Sequence, residues 1–521
     1  MLLVTAGQMQ DMDQQTISAF GIPGRVLMEN AGRGAFDFFM DTFNPADHQT
    51  VAVLAGSGNN GGDGFVIARY LIEKKIQTTV FLLTSKTKVA NDAKTNMTLF
   101  ETLCDKSDYG SIIELPDAQS FINHKTQILL HDFFVDAILG TGLHSEVKGF
   151  IKDAIEVMNT AKGPVFAVDI PSGLHSDTGH PLGIAVKADA TATFGFAKIG
   201  HILYPGNFHT GKLKIIDIGI PQFIAHEQQI TLSLMEKHQV AALFKPRTFI
   251  SHKGSFGHLL VLAGSPGKTG SAAFCANAAM RSGTGLVTLG IARSLNKLME
   301  PLVLEPMTHP LPEKKKGILS DECFDQIQAL AGNKQALALG PGIGTGRGTQ
   351  RLVFKLIASM TIPMVIDADG LNCLADNLSI LKEKKAPVIL TPHPGEMARL
   401  CKTNTTDIQA DRIHIASRFA QDHDVIVVLK GAQTIISFPD RQSFICPTGN
   451  PGMAAGGMGD VLTGLIAGFC AQGFTPENAS LAGVYIHGLC ADVLAGQTGG
   501  FGFLASDMIT NIPNTIFHHL L

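Results

Sequence analysis

The chain has 521 residues, too many for one ordinary core, and its 45% hydrophobic and only 17% charged residues predict at least two well-buried domains. A formal net charge of −4 excludes a basic face for nucleic acid or an anionic membrane and leaves small molecules as the expected partners. The 55 glycines imply many tight loops, so the expected class is α/β. Eight cysteines form no CxxC pair and no cluster with histidines at metal-ligand spacing, as expected of reduced, mostly buried thiols in a cytoplasmic protein. No basic segment followed by an apolar run opens the chain, and no uninterrupted apolar stretch approaches the ~20 residues of a membrane span.

In chain order, helices are expected at Asp13–Phe20 and around Leu27 to Gly32, followed by a buried parallel strand, Val51–Ala55, the loop GSGNNGGDG from Gly56 to Gly64, and a helix, Phe65–Leu71. Strand, glycine loop and helix in this order match the opening unit of a doubly wound fold, whose ligands lie at the carboxyl edge of the sheet. The GxGxxG dinucleotide pattern fits this loop only loosely. Asn59, Asn60 and Asp63 are more informative, because a loop built only for turning does not need three side chains able to grip hydroxyls or a cation. Further strands are expected at Thr78–Leu83, Ile128–Leu139, Val165–Ile170 and Leu213–Ile218. Two of these carry aspartates at their ends, Asp136 in VDAILGTGL and Asp169 in VDIPSG. Such carboxylates either face the ligand crevice or cap the next helix and loop, and both readings stand.

After Pro221 the pattern weakens, which puts a boundary near 222 and two domains at 1–222 and 223–521. A helix is expected over Thr231–Phe244, then a strand at Leu259–Ala263 and a glycine turn into a small-residue helix, Ser271–Ser282. Lys268-Thr269 in that turn lacks the GxxxxGK[ST] spacing, which excludes a P-loop. Four more strand ends follow, at residues 337–344, 364–372, 388–396 and 425–434. The last is followed by a glycine-rich turn from Thr448 to Asp460 that runs into the apolar helix Val461–Phe469. Glycines free the backbone amides and a helix N-terminus adds partial positive charge, so this turn suits a phosphate. Asp460 is then either a helix cap or the base that accepts a hydroxyl proton. A lone His393 is ordinarily a satisfied loop or core histidine, but with five strand ends converging on one edge it becomes a ligand candidate.

Together, GSGNNGGDG, VDAILGTGL and VDIPSG resemble the N-terminal domain of the NAD(P)H-hydrate repair proteins, the YjeF-type epimerase, over about residues 1–221. The resemblance implies a Rossmann-like three-layer domain that holds a hydrated nicotinamide nucleotide through Asn59, Asn60, Gly61, Gly62 and Asp63 and through Gly140, Thr141, Gly142, Leu143, His144, Ser145 and Glu146. It also implies that Asp169 touches the substrate and performs acid/base work, with a potassium ion between Asn60, Asp136 and Ser172. Ser145 stands where many relatives carry arginine.

The ordered motifs HKGxxG, GPGIG, DADGLN, TPHPGE, LKGAxT and GGMGD resemble the ribokinase-like dehydratase domain of the same proteins over about residues 245–515. This implies that Lys430, Gly431, Ala432, Gln433, Thr434 and Gly459 hold the adenine nucleotide and that Gly344, His393 and Asp460 hold the hydrate. Ser271 and Pro306 depart from the common alanine and valine, and both are expected to lie off the phosphate path. The implied protein is a cytoplasmic homo-oligomer that binds neither nucleic acid nor membrane. It would epimerise the R and S hydrates of NADH and NADPH and dehydrate the S form with ADP, releasing AMP and phosphate, with Mg²⁺ on the nucleotide and Asp460 as base. Two alternatives stand beside it: a vitamin-precursor kinase of the same fold, disfavoured by the fused first domain, and a nucleotide-binding scaffold without catalysis in the first half, disfavoured by Asn60, Asp136 and Asp169.

Overall fold

The run Thr50–Ala55, buried from Val51 onward, is the third strand of a seven-stranded sheet in which every pairing is parallel. In this computed structural model, which describes every residue except Asp47, the chain divides into two compact units, Leu2–Ile230 and Thr231–Leu521 with Met1. The sheet of the first unit runs Gly110–Glu114, Gln77–Leu82, Thr50–Ala55, Phe133–Ala137, Val165–Val168, Ala190–Phe194, Lys212–Ile216. The order in which the chain adds strands reverses between Thr50–Ala55 and Phe133–Ala137, the point where an open parallel sheet leaves a crevice for ligands. Helices cover both faces, giving two aliphatic and aromatic clusters on opposite sides of the sheet.

Several expected boundaries move, each for a local reason. The helix expected from Phe65 begins at Asn59, because the glycines let its first turn lie directly on the strand ends. A Cβ on Gly61 would fall 2.1 Å from the Gly56 carbonyl oxygen, and one on Gly64 would fall 2.6 Å from the Ala137 Cβ. The first helix spans Ala6–Gln15 rather than Asp13–Phe20, set by a capping box between Thr5 and Gln8, and Thr16–Phe20 forms a wider π-helical turn ended by Gly21. The helix around Leu27 extends over Gly24–Phe43. Ile128 belongs to a preceding helix, Ala118–Leu129, and the strand starts only at Phe133. The strands Gly110–Glu114 and Ala190–Phe194 were not expected. The first is a partly exposed edge, and the second is built of alanine and threonine rather than an aliphatic run.

The second unit carries a ten-stranded sheet in the order Leu232–Leu234, Ser443–Ile445, Ile435–Ser437, Ile426–Leu429, Val388–Leu390, Met364–Ile366, Ala336–Leu339, His258–Leu262, Leu286–Ala292, Met307–Leu311. All pairings are parallel except those of Ile435–Ser437 with its two neighbours. The expected helix Thr231–Phe244 is therefore mostly something else. Leu232-Ser233-Leu234 alternates with period two and pairs as a strand, and only Lys237–Ala241 is helical. The helix Pro476–Thr498 is long and apolar enough to cross a membrane by length and composition, yet 67% of its apolar window is buried inside the protein.

The helices Thr269–Arg281 and Met458–Ala471 approach closely because their facing residues are small. At Gly464 a Cβ would sit 2.2 Å from the Cys275 carbonyl oxygen and 2.9 Å from the Ala278 Cβ. Gly464→Ala is therefore expected to force the pair apart and cost about 1–3 kcal/mol, despite the better helix propensity of alanine. A thermal melt of the variant that matches the wild type would show that the helices have room to separate.

Candidate active sites

At the switch point of the first sheet lies a cavity of about 910 Å³. The residues Gly56 to Asn60 and Asp63 line it from one strand end, and Ile138 to His144 line it from the next, joined by Asp169 and Lys198. A wall that was not expected comes from the first helix, through Ala6, Met9, Gln10 and Asp13. Of the loop residues singled out in the sequence, Asn59, Asn60, Asp63, Gly140, Thr141, Gly142, Leu143 and His144 face this cavity. Gly61 and Gly62 are instead buried, packed against Gly56 and Met28, while Ser145 and Glu146 are exposed and outside its lining.

Asp169 sits just past its strand with φ +62°, a left-handed conformation that a non-glycine residue adopts only when its surroundings hold it. Its N–H donates to the Ala192 carbonyl at 2.7 Å, and its Oδ1 accepts from Lys198 Nζ at 2.7 Å and Thr193 Oγ1 at 3.2 Å. Lys198 is only 1% exposed and also donates to Phe194 O and Thr193 Oγ1. Burial pushes the Asp169 carboxyl up, but Lys198, His201 and Thr193 together hold it below the ordinary carboxylate value. His201 donates from Nε2 to the Asp169 carbonyl at 3.0 Å, and burial with Lys198 nearby lowers its own value to about 3, so the ring stays neutral. The neighbouring carboxyls behave oppositely. Burial, then Asp169 and Asp13, hold Asp63 well above the usual range, and burial is the main reason Asp13 rises to about 6.

Asn60, Asp136 and Ser172 meet around the Leu139 backbone. Ser172 donates its N–H to Asp136 Oδ2 at 2.7 Å, and its hydroxyl lies 2.5 Å from Asp136 Oδ1 and 3.1 Å from the Leu139 carbonyl oxygen. Asn60 Nδ2 donates to the same carbonyl at 3.1 Å, which leaves Asn60 Oδ1 buried without a partner. Burial lifts Asp136 to about 6 even though Ser172 pulls it down. A fully buried carboxylate, an orphaned amide oxygen, a hydroxyl and a carbonyl make an all-oxygen donor set of the kind hard cations take.

In the second unit the apolar helix begins at Met458 after Gly457 at φ +91°, and no side chain caps it, so the first-turn amides have no side-chain partner. The preceding turn is fastened by Asp492, which accepts from the Gly449 N–H and from Asn450 Nδ2, both at 2.9 Å. Asp460, the third residue of the helix, is raised to about 6. Burial is the main cause, the Ser271 hydroxyl pulls it down through a hydrogen bond, and Asp367 pushes it up again. Ser271 was expected to lie off the phosphate path. It reaches Asp460 because the two small-residue helices pack so closely.

Asp367, buried at the end of Met364–Ile366, accepts from Lys430 Nζ and Thr463 Oγ1, both at 2.7 Å. Lys430 also lies 3.7 Å from Glu396, and although burial lowers its value, Asp367 and Glu396 raise it above that of an ordinary lysine. Its ammonium is thus directed at carboxylates beneath Gly459, where a Cβ would come 3.3 Å from Nζ. Asp369 takes Lys268 Nζ at 2.8 Å and the Gly344 N–H at 2.9 Å. The segment Lys430, Gly431, Ala432, Gln433 and Thr434 is shaped by Arg412, whose guanidinium donates to the Leu429, Lys430 and Ala432 carbonyls and whose own value burial lowers to about 10. His393 caps its own helix: Nδ1 accepts from the Gly395 N–H at 3.0 Å, while Glu396 accepts the His393 N–H at 2.8 Å. Its ring is half exposed.

Reading the sequence missed Asp13, Lys198, Asp367, Asp369, Lys268, Ser271 and Arg412. A usable signal existed for Asp13, which shares the buried helical stripe of Met9, Met12 and Thr16, and for the two aspartates of DADGLN, which stand at a strand end.

Residues 24–200 match the family described as YjeF-related protein N-terminus, and residues 259–514 the family described as NAD(P)H-hydrate dehydratase. Over 515 residues the chain is 38% identical to the bifunctional NAD(P)H-hydrate repair enzyme Nnr of Moorella thermoacetica, covering 98% of this chain and 96% of that protein. It is 32% identical over 504 residues to the protein of the same name from Escherichia coli, with 97% and 92% covered. Among solved structures, the ADP/ATP-dependent NAD(P)H-hydrate dehydratase from Bacillus subtilis, co-crystallised with ATP/Mg²⁺, is 31% identical. It covers 54% of this chain and 96% of its own, with a TM-score of 0.48.

The Lys198–Asp169 pair gives a pH-dependent expectation. Asp169 is held low in the native protein, so its stabilising contribution is present above the ordinary carboxylate range and lost as pH falls through its folded value. In Lys198→Met burial acts with the Coulombic pull of Lys198 gone, and the ionised carboxylate should destabilise the native state by about 3–5 kcal/mol at neutral pH. That deficit should shrink as pH falls through about 4, where the buried carboxyl of the folded variant is already neutral and that of the unfolded chain becomes so. Melting temperatures across this range check it. An equal deficit at both ends would assign the loss to packing rather than charge.

Proposed function

The chain belongs to the bifunctional NAD(P)H-hydrate repair enzymes, and from that premise we propose that residues 1–222 interconvert the R and S hydrates while residues 223–521 return the S hydrate to NAD(P)H. The observation that carries the second assignment is a carboxyl, raised to about 6, in the first turn of a helix whose start no side chain caps. A base with that value is mostly ionised near neutrality yet close enough to the working pH to accept a hydroxyl proton.

The dehydration phosphorylates the ring hydroxyl with the terminal phosphoryl group of ADP and then eliminates phosphate to restore the dihydropyridine, leaving AMP. Asp460 takes the hydroxyl proton as the oxygen attacks phosphorus. The amides of Gly456, Gly457, Met458 and Gly459 hold the charge that develops on the phosphoryl oxygens. Lys430, Gly431, Ala432, Gln433, Thr434 and Gly459 are assigned to the nucleotide, and Gly344, His393 and Asp460 to the hydrate. Among the described residues no group of three or more His, Cys, Asp or Glu forms a metal cage, so Mg²⁺ is assigned to the nucleotide phosphates, where it would neutralise charge.

In the first half Asp169 exchanges the proton of the reacting C6 hydroxyl, and the cavity residues Asn59, Asn60, Asp63, Gly140, Thr141, Gly142, Leu143 and His144 position the nucleotide. Asn60, Asp136 and Ser172 would hold potassium, which supplies fixed positive charge beside that loop; the orphaned Asn60 oxygen supports this assignment. The eight cysteines, all free, suit a reducing compartment such as the cytoplasm.

AMP formation from ADP should depend on added S hydrate, and a nucleotide turnover indifferent to the hydrate would overturn the reading. Asp460→Asn keeps size and loses proton acceptance, so dehydration should fall about 10²-fold or more while R-to-S conversion continues. Wild-type turnover by that variant would leave Asp460 as a helix cap. In a mixed R and S preparation with ADP, the wild type should act in one phase, whereas folded Asp169→Ala should consume S quickly and then wait on spontaneous epimerisation. A single phase from Asp169→Ala would remove that residue from the reaction.

A further inference from the structure

The helix Ala6–Gln15 is brought to the epimerase cavity by specific ties. Leu3 and Val4 pair in parallel with Ala197 and Lys198, so the lysine that fixes Asp169 lies on the strand that anchors the chain's first residues. The Ala6 N–H donates to Asp177 Oδ1 at 2.7 Å, and Thr5 closes the capping box with Gln8. Met9 and Met12 are buried, which fixes the rotation of the helix, and the same stripe carries Asp13 inward. A carboxylate on the buried face of a short helix is costly unless it is paired or protonated. Asp13 Oδ1 is buried and has no hydrogen-bond partner, and the residue lines the cavity beside Asp63, Asp169 and Lys198.

We propose that Asp13 is a further catalytic residue of the epimerisation, exchanging a proton with the C6 oxygen on one face of the nicotinamide ring while Asp169 serves the other face. This rests on the epimerase reading above. In one direction the Asp13 carboxyl donates its proton to the C6 hydroxyl, the C6–O bond breaks, and water leaves as the N1 lone pair forms N1=C6. A second water then attacks C6 from the opposite face, the N1=C6 electrons return to N1, and the surplus proton of that water passes to the Asp169 carboxylate. The return direction exchanges the roles, and both carboxyls reset by proton exchange with solvent, so water is the only co-reactant.

The charges around Asp13 suit these roles. Burial above all, and Asp169 in addition, raise Asp13 to about 6 against the pull of Lys198. Asp63 is held well above its usual value, Asp169 is held below it, and His201 is neutral. Neighbouring carboxyls with values driven apart supply an acid and a base in the same cavity.

The test uses the full chain and isolated R hydrate without nucleotide, following S formation chromatographically. Asp13→Asn should lower kcat about 10²-fold or more with little change in KM, and should lose the alkaline fall in rate that the wild type shows above about pH 6. Asp13→Glu should recover part of the rate. A folded Asp13→Asn protein with wild-type kcat, or one that keeps the alkaline limb, overturns the proposal. Should Asp13→Asn melt early, the wild-type profile still decides: a rate flat between about pH 5 and pH 8 overturns it. A wild type that cannot interconvert the hydrates at all defeats the epimerase reading itself, and this inference with it.

Discussion

Carboxyl groups withdrawn from water near the ends of parallel strands in two sheets set the conditions that the surrounding structure has to meet. In each unit one of them is paired with a lysine at 2.7 Å, Asp169 with Lys198 and Asp367 with Lys430. Among the described residues, Asp13, Asp63 and Asp460 form no ion pair of their own. Desolvation then favours the neutral form, which is why Asp13, Asp63 and Asp460 all rise. Each site therefore places a lysine-paired carboxylate beside a carboxyl that burial inclines to keep its proton. This division recurs on two sheets with different strand orders, because it follows from burial and lysine placement rather than from any shared motif.

Glycine is what lets backbone come close enough to use that volume. The run Asn59–Gly64 reads as a loop by composition but is the first turn of a helix, pressed against the ends of two strands at Gly61 and Gly64. Gly459 does the same over the Lys430 ammonium, where any side chain would crowd the ion pair. In both places the missing Cβ brings main-chain atoms and a buried carboxyl to one edge. The close contact of Gly464 with Cys275 extends the effect inward, since it also draws Ser271 to Asp460.

The parallel strands were legible because strands buried on both faces are uninterrupted apolar runs stopped by glycine or a polar residue, and the motifs at their ends name most of the loops that line the sites. What was not legible depends on pairing between distant segments. Nothing local marks Lys198 as the counter-charge of Asp169, because its position follows from the Ala197–Lys198 bridge to Leu3–Val4. The strand Ala190–Phe194 hides in threonine and alanine, and Leu232–Leu234 is too short to outweigh the helical spacing that follows it. The capping role of His393 is encoded in the Pro394-to-Glu396 sequence as a helix start, although its place among converging strand ends also fits a ligand contact.

The first fifteen residues precede the segment that matches the epimerase family, which starts at residue 24. Leu3 and Val4 are nonetheless almost wholly buried, and Met9 and Met12 plug the same core. A protease cut or shortened N-terminus that spared the entire seven-stranded sheet would strip the cavity of one wall and leave Lys198 on an unpaired strand. The result would be a protein that still looks folded by its sheet and helices but whose cavity, with its buried carboxyls, is open to solvent on one side.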